Sequence, residues 1–227
     1  MPRARTKKQD DWQTAAESQN SGCLSFYLLP PFSVLLIACL LTVFALNVPT
    51  QTYADSPGDG NDSAISPIFT GEVQHWGADI TRWANASSLD PNLVAVIMQI
   101  ESCGDPRATS HAGATGLFQV MPFHFHFGEN PYNPETNALR GLAYLSRSLA
   151  AADGDPRLAL AGYNGGIGVI ARGEWTWSSE TKRYVRYGAP IYEDAKNGAV
   201  SSAVLEEWYR SYGENLCKQA SRRLGLP

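Results

Sequence analysis

The chain has 227 residues, 18 Lys and Arg against 22 Asp and Glu, and a formal net charge of −4. That length accommodates one domain of ordinary size plus flanking segments, and such a domain buries a full core without staples. The mild acidity gives no electrostatic footprint for nucleic acid, so no nucleic-acid partner is expected.

Residues 1–23 form a polar tail in which Arg3, Arg5, Lys7 and Lys8 cluster. Residues 24–48 form an apolar segment, and 32–48 carry no charge. A basic flank before an apolar run predicts a cytoplasmic N-terminus. The run reads as an uncleaved signal anchor, since the low-polarity stretch exceeds the ~20 residues that span a bilayer, although Pro30-Pro31 breaks it. It also reads as a cleaved signal peptide, with Thr52-Tyr53-Ala54 as the small-residue site. The long polar lead favours the anchor, and both readings place the remainder of the chain outside the cytoplasm. Cys39 in Leu36-Ile37-Ala38-Cys39 suggests lipid attachment, but the apolar run continues well past it. Residues 49–70 are rich in Asp, Ser, Pro and Gly without apolar period, the pattern of a flexible linker.

The folded domain is expected over 71–227. Val73, Trp76, Ile80, Trp83 and Ala84 recur at helical spacing, and Asn85–Leu89 breaks the pattern. Asp90-Pro91 then starts a second helix: the Asp side chain accepts from free first-turn amides, and Pro suits the first helical position. Leu93, Val96, Ile97 and Ile100 form its apolar stripe, and Glu101 falls four residues after Ile97. A carboxylate on or beside a core-facing stripe is costly to ionise, so its pKa rises and it holds a proton for general-acid work. A solvated helix-end Glu is the alternative.

A Gly-, Ala- and Ser-rich loop follows, then the aromatic run Pro122-Phe123-His124-Phe125-His126-Phe127. His124-x-His126 suggests a metal, but a site needs three or four ligands and no companion cluster appears nearby, so none is expected. Alternating Phe and His are expected at a groove lip or in the core. Asn133-Pro134 opens a helix with Leu139, Leu142, Leu145 and Leu149 on nearly one face. Asp155-Pro156 opens another that runs to Tyr163 and is stopped by Gly165, Gly166 and Gly168. Glu180-Thr181 starts a helix bearing Tyr184 and Tyr187, and Ser201-Ser202 starts a last one through Trp208 and Leu216. No strand of convincing length occurs. The fold class is all-α, with a small β element in the loop after Glu101 as its one allowed exception.

Cys23 and Cys39 lie in or before the apolar segment, whereas Cys103 and Cys217 lie in the exported domain, where disulfides persist. A disulfide between Cys103 and Cys217 would tie the terminal helix to the loop after Glu101; two free thiols are the alternative. No motif places a His or Asn to activate Cys103 as a nucleophile.

Glu101-Ser102, Pro106, Ala108, Ser110, Gly113-Ala114, Gly116-Leu117, Gln119 and Met121-Pro122 resemble the first motif of the lytic transglycosylase domain, the lysozyme-like fold of soluble lytic murein transglycosylases. Ala161-Gly162-Tyr163-Asn164-Gly165-Gly166 resembles the family's A-x-Y-N-x-G motif, and Glu180-Thr181-Lys182-Arg183-Tyr184-Val185 its E-T-x-x-Y-V motif. The three occur in the family's order over residues 72–192, about half the chain. The segment after Met121-Pro122 departs from the family, which often has a Thr-Ala pair there.

The resemblance implies a lysozyme-like domain acting on peptidoglycan glycan strands with no cofactor. It implies that Glu101 protonates the bond between N-acetylmuramic acid and N-acetylglucosamine, then deprotonates the muramyl 6-hydroxyl to give a 1,6-anhydromuramyl end. Most glycosidases use two carboxylates. Asp105, Asp153, Asp155 and Glu180 are the candidates for a second, and turn or cap positions occupy each. The resemblance further implies that Ser110 supports the loop or binds near the acetamido group, that Gln119 and Met121 line the groove floor, and that Tyr163 and Asn164 line the site. Tyr184 is implied as a hydrogen-bond partner of the acid. Turn formation for Ser110, core packing for Gln119, Met121 and Tyr184, and a helix stop for Asn164 are the alternatives. Trp175 and Trp177 are candidates for stacking on sugar rings. A hydrolase of the same fold, or a non-catalytic wall-binding protein, are the competing functions. No separate carbohydrate-binding repeat is evident, so the chain is expected to reach the wall through its anchor and groove, with the linker as spacer.

Overall fold

Among the described residues three helices begin with an Asp or Asn cap followed by Pro, and they form the frame of the fold. A computed structural model describes residues 65–227; the tail, the apolar segment and residues 49–64 of the linker lie outside the described residues, and with them the anchor and signal readings. In chain order the helices are α1 (Gly71–Gln74), α2 (Gly77–Ala86), α3 (Pro91–Glu101), α4 (Pro134–Ala151), α5 (Pro156–Gly165), α6 (Ser179–Lys196), α7 (Ala203–Trp208) and α8 (Glu214–Leu224). At their starts, Asp90 accepts from Asn92 N, Asn133 from Thr136 N, and Asp155 from Arg157 N and Leu158 N. Each cap satisfies a first-turn amide, and Pro needs none.

α3 is the central helix. The expected stripe is there, but Val94, Ala95 and Met98 are buried as well, so the helix is enclosed nearly all round. It packs against α2 and α6, and α5 packs between α4 and α6. Gln99, the polar residue among these, is satisfied: its Oε1 accepts from Thr70 N at 3.1 Å and Thr70 Oγ1 at 3.2 Å. Packing therefore starts before Gly71. Ile65 and Phe69, in the stretch read as linker, are buried core residues.

Several local expectations are corrected. The pattern from Val73 to Ala84 is broken at His75–Trp76 into α1 and α2. α6 is capped not by Glu180 but by Ser178, whose Oγ accepts from Thr181 N at 3.0 Å. Ser202 does cap the last helical run, yet that run contains a π-helical turn at Tyr209–Gly213 between α7 and α8. Leu139 is 61% exposed rather than on the buried face of α4. Among the described residues there is no strand; the loop after Glu101 holds two isolated antiparallel bridges, Thr109 to Thr115 and Thr115 to Val120.

That loop is pinned from within by Asn137 of α4. Its Nδ2 donates to Thr115 O at 2.8 Å and Pro131 O at 2.9 Å, and its Oδ1 accepts from Phe118 N at 2.9 Å. Gly116 (φ +75°) lets this side chain approach, because a Cβ there would lie 2.4 Å from Asn137 Nδ2. Asn137→Ala strands a buried carbonyl, a part-buried one and a buried amide, so a loss of about 2–4 kcal/mol in urea unfolding is expected. Asn137→Asp, which keeps the acceptor and loses the donors, is expected to be intermediate or worse.

The loop is held from outside by α8. Cys103 and Cys217 form a disulfide with Cα atoms 5.0 Å apart, across 114 residues of sequence. Asp105 is fully buried, accepting from Gln219 Nε2 at 2.8 Å and pairing with Arg223 Nη1 at 2.6 Å. Ser221 Oγ adds a hydrogen bond to Glu72.

Candidate active site

Glu101 is the last residue of α3, where the central helix leaves the core. Ser102 begins the anchored loop: its Oγ donates to Leu117 O at 2.7 Å and accepts from Gly104 N at 3.1 Å. The Glu101 side chain lines a cleft of ≈180 Å³ together with Ile100, Asn164, Glu180, Tyr184 and Trp208. Burial pushes its pKa up to about 8; the Tyr184 hydroxyl pulls it down, and the Glu180 charge adds to the rise. The carboxyl therefore retains a proton at neutral pH, as predicted from its place beside the apolar stripe.

Tyr184 is buried and its hydroxyl makes no well-formed hydrogen bond among the described residues. Its phenol is driven well above the usual tyrosine range by burial and by the Glu101 charge, so it faces the acid as a neutral donor. A hydroxyl beside a carboxyl that changes ionisation, and without another partner among the described residues, is poised to bond the charged form when it appears.

Asn164 lies where two clefts share a wall. The second, of ≈300 Å³, is lined by Gln119, Met121, Phe123, His124, Tyr144 and Tyr163 among others, and also by Asn164. Asn164 Oδ1 accepts from Thr181 Oγ1 at 2.9 Å, which leaves its amide N–H groups for the clefts. Tyr163 donates to Phe118 O at 2.8 Å and stands edge-on to Tyr144, with ring centroids 5.6 Å apart. Gln119 sits at φ +45° and its Nε2 donates to Gly116 O at 3.0 Å, so the loop holds it in a left-handed conformation.

The residues singled out from sequence thus divide. Glu101, Asn164 and Tyr184 share one cleft; Gln119, Met121, Tyr163 and Asn164 share the other. Ser110 lines neither. It is exposed, accepts from Ala114 N at 3.0 Å, and shapes the loop turn. Phe123 and His124 do form the lip expected of them, whereas Trp177 is 5% exposed and donates to Val169 O at 3.1 Å, a core position that forbids stacking on sugar. Trp175 stays 83% exposed but outside both clefts. Of the candidate second carboxylates, Asp105 is tied to α8 and Asp155 caps α5, while Glu180 lines the Glu101 cleft. Arg183, Tyr187, Trp208, Tyr212 and Leu216 complete that cleft and were not found from sequence. The last three sit more than 100 residues from Glu101, and the one local signal for them is aromatic density.

A family model described as "Transglycosylase SLT domain" matches residues 79–185. The transglycosylase of Enterobacteria phage PRD1 is 38% identical over 121 residues, which are 51% of this chain and 42% of that protein. The endo-type membrane-bound lytic murein transglycosylase A of Citrobacter koseri is 31% identical over 146 residues, covering 53% of this chain and 70% of that one. The chain belongs to the SLT lytic transglycosylases. A solved lytic transglycosylase, an inactive mutant of Slt from Pseudomonas aeruginosa, aligns with TM-score 0.45 at 26% identity over 56% of this chain and 25% of that one. The SLT match holds Glu101, Gln119, Asn164 and Tyr184. It stops before Trp208, Tyr212 and Leu216, so the far wall of this SLT cleft is built by a segment beyond the matched residues.

Proposed function

We propose that the chain is a peptidoglycan lytic transglycosylase in which Glu101 acts first as acid and then as base. The observation that carries this reading is one half-buried carboxyl, its pKa pushed up to about 8 by desolvation, in a cleft it shares with a Tyr184 phenol that has no other partner among the described residues. Glu101 gives its proton to the oxygen joining N-acetylmuramic acid to N-acetylglucosamine as the C1–O bond breaks. The substrate's own N-acetyl oxygen stabilises the cation at C1. The Glu101 carboxylate, now bonded by Tyr184, takes the proton of the muramyl 6-hydroxyl as O6 closes on C1, which regenerates the acid. No water enters the bond, and no cofactor takes part. Asn164 is assigned to the acetamido group, and Gln119, Met121 and Tyr163 to the neighbouring sugar. The names of the relatives, lytic murein transglycosylases and a phage transglycosylase, support the substrate and bond type. The relative named as membrane-bound and the basic-then-apolar N-terminus support extracytoplasmic action from a membrane anchor. Among the described residues no helix is long and apolar enough to cross a membrane.

Glu180 gives the hydrolase reading its one specific support, since a second carboxylate in the cleft is what an attacking water would need. The two readings part on Glu180→Gln, measured as the pH profile of peptidoglycan clearance by the full chain. In the transglycosylase, activity persists within about tenfold, and its alkaline limb, near pH 8 in the wild type, moves down because the Glu180 charge no longer raises the Glu101 pKa. Loss as deep as that of a Glu101 variant would make Glu180 catalytic and the mechanism hydrolytic.

A further inference from the structure

The far wall of the Glu101 cleft carries a feature that the reaction itself does not use. Among its lining residues Arg183 is the one cation, and Tyr212, Trp208 and Leu216 line the same cleft. The guanidinium carbon lies 5.2 Å from the Tyr212 ring centre, and Tyr212 is itself braced edge-on by Tyr187 at 5.6 Å. Stacking of this kind holds a long side chain in one place while leaving its N–H fork open. Among the described residues Arg183 has no carboxylate within ion-pair distance, whereas Arg186, on the same helix, is paired with Glu207.

The chain makes a structural effort to put Tyr212 there. α7 and α8 are joined by the π-helical turn Tyr209–Gly213, a local change of winding that redirects the side chains it contains. Trp208 packs directly on Gly213, where a Cβ would lie 2.5 Å from the indole, so glycine is required for this arrangement. Tyr212 remains 53% exposed beside the cleft. An exposed arginine stacked on a braced ring, without an ion-pair partner among the described residues, in a cleft whose Glu101 is neutral, is arranged for an anion that arrives with the substrate.

Resting on the transglycosylase reading above, we propose that Arg183 binds a carboxylate carried by the muramyl side chain, so that this cleft selects glycan bearing acidic substituents over neutral glycan. Two sources supply that carboxylate: the peptide stem, or the lactyl group once the stem is removed. Arg183 is a specificity residue and takes no proton in the reaction.

The test is calorimetric binding by the full chain carrying Glu101→Gln, with and without R183A. Three soluble fragments serve as probes: stem-bearing glycan, the same glycan with its carboxylates converted to methyl amides, and amidase-stripped glycan with free lactyl carboxylates. R183A is expected to weaken binding about fivefold on carboxylate-bearing fragments and to leave the amidated fragment unchanged. R183K keeps part of the affinity, because it keeps the charge and loses the fork. Loss confined to the stem-bearing fragment assigns the stem; loss on the stripped fragment assigns the lactyl group. An equal loss on the amidated fragment, or no difference on any, overturns the proposal. Products formed by the wild-type chain from the same fragments report separately on the transglycosylase reading.

Discussion

Glu101→Gln is expected to lower the rate of peptidoglycan cleavage at least about a thousandfold and, at alkaline pH, to make the protein more stable. The first effect follows from chemistry: the amide fills the same space but neither gives nor takes a proton. The second follows from linkage. The Glu101 pKa is about 8 folded against an ordinary 4.5, so the folded state holds a proton that the unfolded state has lost between those values. Stability from this group is fully present below about pH 4.5, falls as pH rises through the window, and is gone above about 8. A Gln at this position carries no such dependence. Thermal melts of wild type and variant therefore converge near pH 5 and separate by pH 9, with the variant melting higher. Coincident melts at both pH values would show that the carboxyl is solvated and ordinary, and would remove the basis for calling it an acid.

Removing the disulfide by Cys103→Ser with Cys217→Ser is the largest stability loss expected. The bond closes a loop of 114 residues, for which the chain-entropy account gives about 4–5 kcal/mol. In a domain of this size that corresponds to roughly 10–20 °C in thermal midpoint. The consequence reaches the site, because Leu216, beside Cys217, lines the Glu101 cleft, and because Asp105 stays buried in its pair with Arg223. Urea titration of the double-Ser protein, and of the wild type under reducing conditions, checks it. A shift below about 1 kcal/mol would mean that the Asp105–Arg223 and Glu72–Ser221 contacts hold α8 unaided.

What could be read from the chain alone was what is encoded locally. Asp90, Asn133 and Asp155 cap helices because cap and Pro are neighbours in sequence, and Glu101 was placed on the central helix by the four-residue spacing from Ile97. Gln119, Met121 and Tyr163 line one cleft and Tyr184 the other, with Asn164 in both, although their motifs are far apart in sequence. What escaped depends on contacts across the fold. Leu139 keeps the spacing of Leu142 and Leu145 but lies on the rim of α4, so periodicity misassigned it. Trp177 has the sequence setting of a loop aromatic, but its indole donates to Val169 O in the core. Asn137 carries no signature among polar residues of a helix, although the loop before the site hangs on it. The π turn that delivers Tyr212 has no sequence marker beyond a Gly placed where Trp208 packs.

The most direct measurement is digestion of purified peptidoglycan by the full chain in water enriched in oxygen-18, followed by mass spectrometry of the released fragments. Intramolecular closure on C1 predicts anhydromuramyl ends that carry no heavy oxygen, and no release by Glu101→Gln. Reducing muramyl ends, one water heavier and labelled, would contradict the single-acid account and make this cleft that of a hydrolase.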